Sequence, residues 1–537
     1  MVVPLSRFRG SLARPRGAAL VDALISTPDT EGAVAALSVP ELYFLIKEVG
    51  FNDTTELIAF ATPDQIRGCL DLDLWDRDHL QDEAVRPWLA GLIEAGYEKL
   101  GEVWSNLDSE LSALLLSRWT RVYDLSVEEE PPPDSDLPIY TTPDTFFAVE
   151  ILAEDETDSR MTMQLLEDLY RSDLIAARHM LMASRTEPPA ELEEMSYRWR
   201  TGRMADLGYV DFYDALEVFR PLDPASITID ENSADTVGAI ADGDEARVPR
   251  NLPAIMADAV AGQSFLARAL ERVVDADQEQ RLETAIVYLV NHVLSASRVS
   301  PGDAEAAQAG AEHSIATLSL GLETVSGGDL DRAAAALQSV SLIRLHRAGF
   351  TATLRLGRLA RAIAPRAASA AYEDRVLMTA LLRARPFLPD GGGLRAFGSV
   401  ADVRMAAERL TRLALRIAIA QEALGVDLLG LAELPEPRPD LDDFVRTALA
   451  RALAGGQATA EPLGNDEIPK NFGPVPRESA TLALIARLDD AGVIGGREYL
   501  NDLIDSWLYE LEQTLGALTG DPDPRFVTGV LLRITRD

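Results

Sequence analysis

The chain has 537 residues, of which 50 are basic and 87 acidic, so its formal net charge is -37. A hydrophobic share of 47% is ordinary for a globular protein and excludes intrinsic disorder as the main state. So much negative charge repels phosphate and anionic lipid, which argues against a nucleic-acid or membrane-surface binder. The single cysteine, Cys69, cannot form a disulfide within the chain.

The N-terminal segment is basic. The first 21 residues carry four arginines and no acid. The apolar run from Gly17 to Val21 is shorter than the roughly 7–15 residues of a signal-peptide core. The most apolar later stretch, Thr284 to Ser297, is also shorter than the roughly 20 residues that a membrane span needs. We therefore expect residues 1–20 to be a mobile basic arm of a cytoplasmic protein with no membrane insertion.

Helix starts recur through residues 21–125. Pro40, Pro63, Pro87 and Asp108 each open a segment with apolar residues at helical spacing, 23, 24 and 21 residues apart. Proline is tolerated in a first helical turn, and a following acid complements the helix dipole. At the second start, Thr62 is placed to cap the helix. The spacing predicts short helices stacked as a superhelical repeat domain, with an irregular bundle as the alternative.

Two acidic stretches divide the rest of the chain. Residues 126–138 are rich in proline and acids, and residues 226–250 are acidic without apolar periodicity. Both predict linkers, because such sequences disfavour helix and central strand. Between them we expect a small, mostly helical middle domain at 139–225, with Phe146 to Leu152 as its best strand candidate. Apolar residues at three- and four-residue spacing then predict a multi-helix bundle domain at 251–537, so the expected fold class is mainly all-α.

Local signatures of the large enzyme classes are absent from the sequence. It contains no glycine-rich phosphate loop, no His-Glu-x-x-His, no Cys-x-x-Cys and no Gly-x-Ser-x-Gly. Its five histidines are scattered along the chain. The sequence therefore predicts no catalytic residues and no cofactor, although folding can gather distant residues into a site.

A dense cluster of carboxylates lies between residues 71 and 79. Oxygen ligands at alternating positions could hold a hard cation. The candidate ligands are Asp71, Asp73, Asp76, Asp78 and His79. The interspersed leucines and Trp75 also fit a tight corner with its acids in solvent, and the sequence favours that interpretation over a cation site.

The opposite charge is concentrated between residues 341 and 420. This segment holds 14 arginines and 5 acids, which gives a local charge of 14 - 5 = +9. Three-residue spacing places several of the arginines on one helix face. They are Arg344, Arg347, Arg355, Arg358 and Arg361. Guanidinium groups pair with carboxylate or phosphate, so this ridge could bind an anionic ligand or partner, or form ion pairs within the chain.

These features favour a non-catalytic cytoplasmic scaffold or adaptor that acts through contacts with a protein partner. The alternative is an enzyme or small-ligand sensor that binds an anionic ligand at the arginine-rich helices of the bundle. A pocket with converging polar groups and perturbed pKa values would favour the alternative. If all arginines of the ridge were paired with the chain's own carboxylates, binding of an anionic ligand to the ridge would be excluded. The oligomeric state is not predicted.

Several segments also resemble a known family. They are Glu41 to Glu48, Asp71 to Trp75, Ser319 to Glu323 with Ser326 to Leu330, and Asp523 to Val527. On these segments the chain resembles a bacterial family of large helical proteins catalogued as a domain of unknown function, and none of them is a reaction signature. The first quarter is also similar to the short-helix repeats of flagellar switch proteins and of the cytosolic N-terminal domain of magnesium transporters, although the transporters' membrane part is absent. That second resemblance implies a small superhelical domain suited to contacts, with a regulatory cation.

Overall fold

A computed structural model of the chain describes residues 17–533 with gaps. The gaps are residues 77, 133–134, 154, 230–253, 274, 300–302, 434, 436–437 and 517–526. The chain divides into two compact units, residues 1–350 and 351–537. The described residues are mainly α-helical, which confirms the predicted fold class.

The first unit is built almost entirely of short and medium helices. They are α1 (Gly17–Ile25), α2 (Thr30–Ala35), α3 (Val39–Val49), α4 (Thr55–Phe60), α5 (Pro63–Asp73), α6 (Arg86–Ala95), α7 (Tyr97–Asn106), α8 (Ser109–Trp119), α9 (Glu156–Ser172), α10 (Leu174–Thr186), α11 (Pro189–Asp206), α12 (Phe212–Ala215), α13 (Ala254–Ala261), α14 (Ser264–Leu270), α15 (Ala276–Ala296), α16 (Ala304–Ser326), α17 (Leu330–Ser339) and α18 (Leu342–Ile363), whose last residues belong to the second unit.

Two small antiparallel sheets interrupt these helices. The hairpin of β1 (Trp75–Asp76) and β2 (His79–Leu80) follows α5. The second sheet contains β3 (Thr120–Asp124), β4 (Ile139–Thr141) and β5 (Phe147–Ile151) in the order β3-β5-β4. Strand β5 lies within the predicted strand segment.

The strand pairing bears on the predicted domain boundaries. Val122 of β3 lies opposite Val149 of β5, so the strands on either side of residues 126–138 belong to one sheet. The boundaries of the repeat, middle and bundle domains stay predictions. Most of the 1–20 arm, up to residue 16, and the 226–250 linker from residue 230 onward lie outside the described residues.

The four predicted helix starts are confirmed. Pro40 lies in the first turn of α3, Pro63 and Pro87 lie in the first turns of α5 and α6, and Asp108 is the N-cap residue of α8. Thr62 forms the expected capping box with the side chain and main chain of Gln65. The 23-residue spacing did not predict the additional helices α4 and α7 or the β1–β2 hairpin, and superhelical stacking stays a prediction.

One continuous hydrophobic core fills the first unit, from Val21 to Ala348. Helices α16 and α18 approach each other most closely at two glycines. A Cβ atom on Gly321 would lie 1.8 Å from the carbonyl oxygen of Leu345, and one on Gly349 would lie 2.1 Å from that of Thr317. These two helices therefore contact each other through their backbones, which only glycine permits.

The second unit has its own core and its own helices. They are α19 (Tyr372–Leu381), α20 (Val400–Ala418) with a π-helical turn at Ile419–Ala423, α21 (Leu428–Ala432), α22 (Leu441–Leu453), α23 (Pro474–Asp490) and α24 (Leu500–Leu515). A hairpin of β6 (Leu388–Asp390) and β7 (Gly393–Arg395) precedes α20. The core runs from Leu415 to Val530 and includes the buried Trp507. In the part of the chain that the structure describes, no helix combines the length and apolarity that membrane crossing requires.

Candidate binding sites

Asp71 and Arg203 form the most deeply buried ion pair of the acidic cluster. The side chain of Asp71 is only 2% exposed, and its two oxygens accept hydrogen bonds from Nε and Nη2 of Arg203 at 2.6 and 2.9 Å. Arg203 also donates to both carboxylate oxygens of Asp108 at 3.0 and 2.7 Å. This triad joins α5, α11 and the start of α8.

The triad has strongly perturbed electrostatics. Burial raises the pKa of Asp71 above its ordinary value, although the hydrogen bonds and the charge of Arg203 lower it. Burial lowers the pKa of Arg203, but Asp71 and Asp108 outweigh that effect and hold this pKa above its usual value. The arginine therefore stays charged, and Asp71 depends on it for compensation.

Asp73 lies at the end of α5 and is committed to other partners. One of its oxygens accepts from the hydroxyl of Tyr43 and from Nζ of Lys47, both at 2.9 Å. Its second oxygen accepts from Nε1 of Trp88, also at 2.9 Å. These bonds tie α5 to α3 and α6, and they use the carboxylate that a cation would need.

The remaining candidate ligands lie on the β1–β2 hairpin. Asp76, Asp78 and His79 are exposed, with 3.8 Å between Nε2 of His79 and Oδ1 of Asp78. The structure therefore does not bring the five predicted ligands together. Across the described residues, no group of three or more histidine, cysteine, aspartate or glutamate side chains is arranged to hold a metal ion.

A cleft of about 640 Å³ opens beside the triad, between α2, α3, α5 and α11. Asp71 and Arg203 form part of its wall. The other lining residues are Gly32, Ala35, Ala36, Leu37, Ser38, Val39, Thr62, Asp64, Gln65, Arg67, Gly68, Met204, Asp206 and Leu207. Its volume falls within the roughly 300–1,000 Å³ that is typical of small-molecule sites.

Arg67 is the second cation of the cleft. Its Nη2 donates to Asp64 at 2.8 Å, and its Nη1 donates to the carbonyl oxygen of Asn106 at 3.0 Å. Its Nε is buried and has no hydrogen-bond partner among the described residues. Neither Arg67 nor Arg203 is among the candidate residues that the sequence suggests. The three-residue spacing of Asp64 and Arg67 was a local signal for one pair, but no local pattern links Arg203 to Asp71.

The predicted arginine ridge lies on α18 and is only partly paired. In the first unit, Arg347 forms an ion pair with Glu217 at 3.2 Å and donates to the carbonyl oxygen of Arg220 at 2.9 Å, whereas Arg344 is exposed. In the second unit, all three ridge arginines are exposed and have no ion-pair partner among the described residues. They are Arg355, Arg358 and Arg361.

Other arginines of the basic segment are used inside the second unit. Arg416 binds Asp442 at 2.8 Å and Asp374 at 2.7 Å. Arg395 binds Asp402 at 2.7 Å. The arginines of the basic segment therefore include some that hold helices together and others that are exposed, among them the exposed arginines of α18 together with Arg383, Arg404 and Arg412.

Comparison with known proteins identifies the family and gives no activity. No curated protein and no solved structure matches the chain. The expected membership in a family of unknown function is confirmed, while a bacterial origin and the likeness to magnesium-transporter and flagellar switch domains stay predictions. The model of the family described as "Family of unknown function (DUF6178)" matches residues 1–533, and the chain therefore belongs to that family.

Proposed function

We propose that the protein is a non-catalytic adaptor whose second unit binds an acidic segment of a protein partner. The binding surface is the arginine face of α18, formed by Arg355, Arg358 and Arg361. The observation that supports it is the exposure of these three guanidinium groups without carboxylate partners among the described residues. The chain as a whole has 37 more acidic than basic side chains, so carboxylates to pair with them are abundant.

The geometry of the arginine face favours an extended acidic segment. Residues three apart on a helix are separated by about 4.5 Å along the axis, so the three arginines span about 9 Å. Alternate side chains of an extended strand repeat at about 6.6 Å, so two carboxylates of such a segment would fit this span. Leu359 lies between Arg358 and Arg361 and is 53% exposed, which offers an apolar contact beside the charges.

The strength of this contact follows from its exposure. An exposed pair of arginine and carboxylate contributes about 0.2–1 kcal/mol, and salt screens it. Loss of two pairs would therefore weaken binding by about 0.4–2 kcal/mol, or roughly 2- to 30-fold. Replacement of arginine by glutamate adds repulsion, so the effect of charge reversal should reach the upper part of that range.

The test uses the full chain and a fluorescent glutamate-rich peptide, with fluorescence anisotropy as the measurement. We expect the wild-type chain to bind the peptide at low salt and to release it at high salt. The double variant Arg355→Glu/Arg358→Glu should bind the peptide about 10- to 30-fold more weakly than the wild-type chain. The control is Arg198→Glu/Arg268→Glu, which makes the same charge change at exposed arginines of the first unit and should bind like wild type.

Two results would contradict the proposal. One is equal peptide binding by the two double variants, which would show that the arginine face is not the binding surface. The other is displacement of the peptide by pyrophosphate at equal charge concentration, which would favour a small anionic ligand at the same arginines. Affinity purification from the native host should then recover an acidic partner with the wild-type chain and the control, and not with the α18 variant.

A further inference from the structure

We propose that the cleft between α2, α3, α5 and α11 binds an uncharged small molecule that carries hydrogen-bond acceptors. This site lies in the first unit, and the proposed adaptor surface does not use it. Its volume of about 640 Å³ suits a ligand of drug-like size. The charge balance, the unused donors and the apolar walls of the cleft together define the ligand class.

The charge balance excludes an ionic ligand. Arg67 is paired with Asp64, and Arg203 is paired with Asp71 and Asp108. The extra negative charge of that triad is balanced nearby by Arg200, whose Nε donates to the carbonyl oxygen of Asp71 at 2.7 Å. A charged ligand would have to enter without an available counter-charge, which is costly in a partly buried site.

Among the described residues that line the cleft, one further charged group, Asp206, stands outside these pairs. Asp206 lies at the end of α11 and is exposed to water. Its charge is solvated at the rim, so it does not need a ligand cation for compensation. The charges of the described residues inside the cleft therefore balance before any ligand binds.

The guanidinium groups keep donors that a neutral acceptor can use. An arginine side chain carries five N–H donors. Arg67 uses two of them, one to Asp64 and one to the carbonyl oxygen of Asn106, so each of its terminal nitrogens retains a hydrogen. The hydroxyl of Thr62 accepts from the main-chain N–H of Gln65 at 3.2 Å and also keeps its own hydrogen. Carbonyl, amide or ether oxygens of a ligand would satisfy such donors.

Apart from Ser38 and Gln65, the other residues that line the cleft are apolar side chains or glycines. Leu37, Val39 and Leu207 are half-buried and Met204 is buried, while Ala35 and Ala36 lie exposed at the end of α2. Burial of apolar ligand surface against these side chains would supply the main driving force for binding. The ligand class is therefore a neutral molecule with one apolar face and one face that carries acceptor oxygens.

The test compares two dyes with the full chain. Nile red is uncharged, carries a ring carbonyl and fluoresces strongly in apolar sites, whereas anilinonaphthalene sulfonate is an anion. We expect saturable binding of Nile red to the wild-type chain. Ala36→Trp fills the cleft and should weaken this binding at least about tenfold. Ala190→Trp is the matched control, because Ala190 is exposed near the opposite end of α11, and it should bind like wild type.

Three results would overturn the proposal. They are the absence of saturable Nile red binding, equal binding by the two tryptophan variants, and sulfonate-dye binding that Ala36→Trp also removes. The last result would show that the cleft accepts an anion. Circular dichroism checks the fold of each variant. If Ala36→Trp does not fold, Ala35→Trp replaces it with the same expected outcomes, because Ala35 is also exposed and lines the cleft.

Discussion

Replacement of Arg203 by methionine tests the energetic role of the buried triad. Methionine keeps much of the side-chain volume but removes every donor to Asp71 and Asp108. A buried carboxylate that loses its partner costs about 3–5 kcal/mol of folding free energy. Protonation of Asp71 limits this cost to about 4 kcal/mol at neutral pH, because protonating a carboxyl of ordinary pKa, about 3.9, at pH 7 costs about 1.4 kcal/mol per pH unit. We therefore expect a loss of about 3–4 kcal/mol at neutral pH.

The pH dependence of this loss has a definite sign. A carboxyl whose pKa is raised in the folded state destabilises the fold when it is ionised. This loss of folding free energy is therefore greatest at pH values above the folded-state pKa. The loss shrinks as the pH falls toward the unfolded value of about 3.9. Arg203→Met raises the folded pKa of Asp71 further, so the difference between variant and wild type should narrow from neutral to acidic pH.

Urea unfolding followed by tryptophan fluorescence measures this loss. Five of the six tryptophans lie in the first unit, so the signal reports mainly that unit. The control Arg198→Met changes an exposed arginine of the same helix and should alter stability by less than about 0.5 kcal/mol. The double variant Asp71→Asn/Arg203→Met should recover part of the loss. A loss below about 1 kcal/mol for Arg203→Met, or one independent of pH, would refute this account of the triad.

Three other predictions follow from contacts in the first unit. Gly321→Ala should lower the free energy of unfolding by about 3 kcal/mol or more in the same urea assay, because the new Cβ atom meets a backbone oxygen that cannot move freely. The control Gly202→Ala has open space around its Cβ atom, so it should leave the stability unchanged or raise it by up to about 1 kcal/mol. Equal effects of the two changes would contradict the backbone contact. Cys69 is fully buried, and burial raises the pKa of its thiol. An aromatic disulfide reagent should therefore label Cys69 only after the chain unfolds. Rapid labelling of the native chain would contradict this burial. Magnesium or calcium should leave the thermal midpoint unchanged, because Asp71 and Asp73 already have cationic partners, and a clear upward shift would revive the cation hypothesis.

The helix starts were predictable because helix caps are local. Thr62 and Gln65 form their capping box within four residues of sequence, and the residue types alone specify it. The partners of the capped helix were not predictable in the same way. Arg203 and Asp71 are 132 residues apart, and only the folded chain places α11 against α5.

The alternating spacing of the carboxylates did not predict the directions in which their side chains point. Asp71 and Asp73 are two residues apart, as cation ligands of a loop would be. They lie on a helix, however, where a step of two residues turns the side chain through about 200°. Asp71 therefore faces Arg203, and Asp73 faces Lys47 and Trp88.

The sequence was enough to predict that the ridge arginines share a helix face. It was not enough to predict which of them form ion pairs. Three-residue spacing was enough to place Arg344 to Arg361 on one helix. The ion pair between Arg347 and Glu217 joins residues 130 positions apart, and the exposure of the later arginines depends on the packing of the second unit.

The small sheet of the first unit determines what a cut in the chain would do. Residues 126–138 leave strand β3, and strands β4 and β5 follow them, so both ends of this acidic segment are anchored in the same three-stranded sheet. A protease that cleaves the segment would thus leave two fragments that five β3–β5 residue pairs still hold together. The nicked protein should migrate as two bands under denaturing conditions and as one particle under native conditions. Separately produced fragments that end and begin in this segment are therefore candidates for reassembly into the intact first unit.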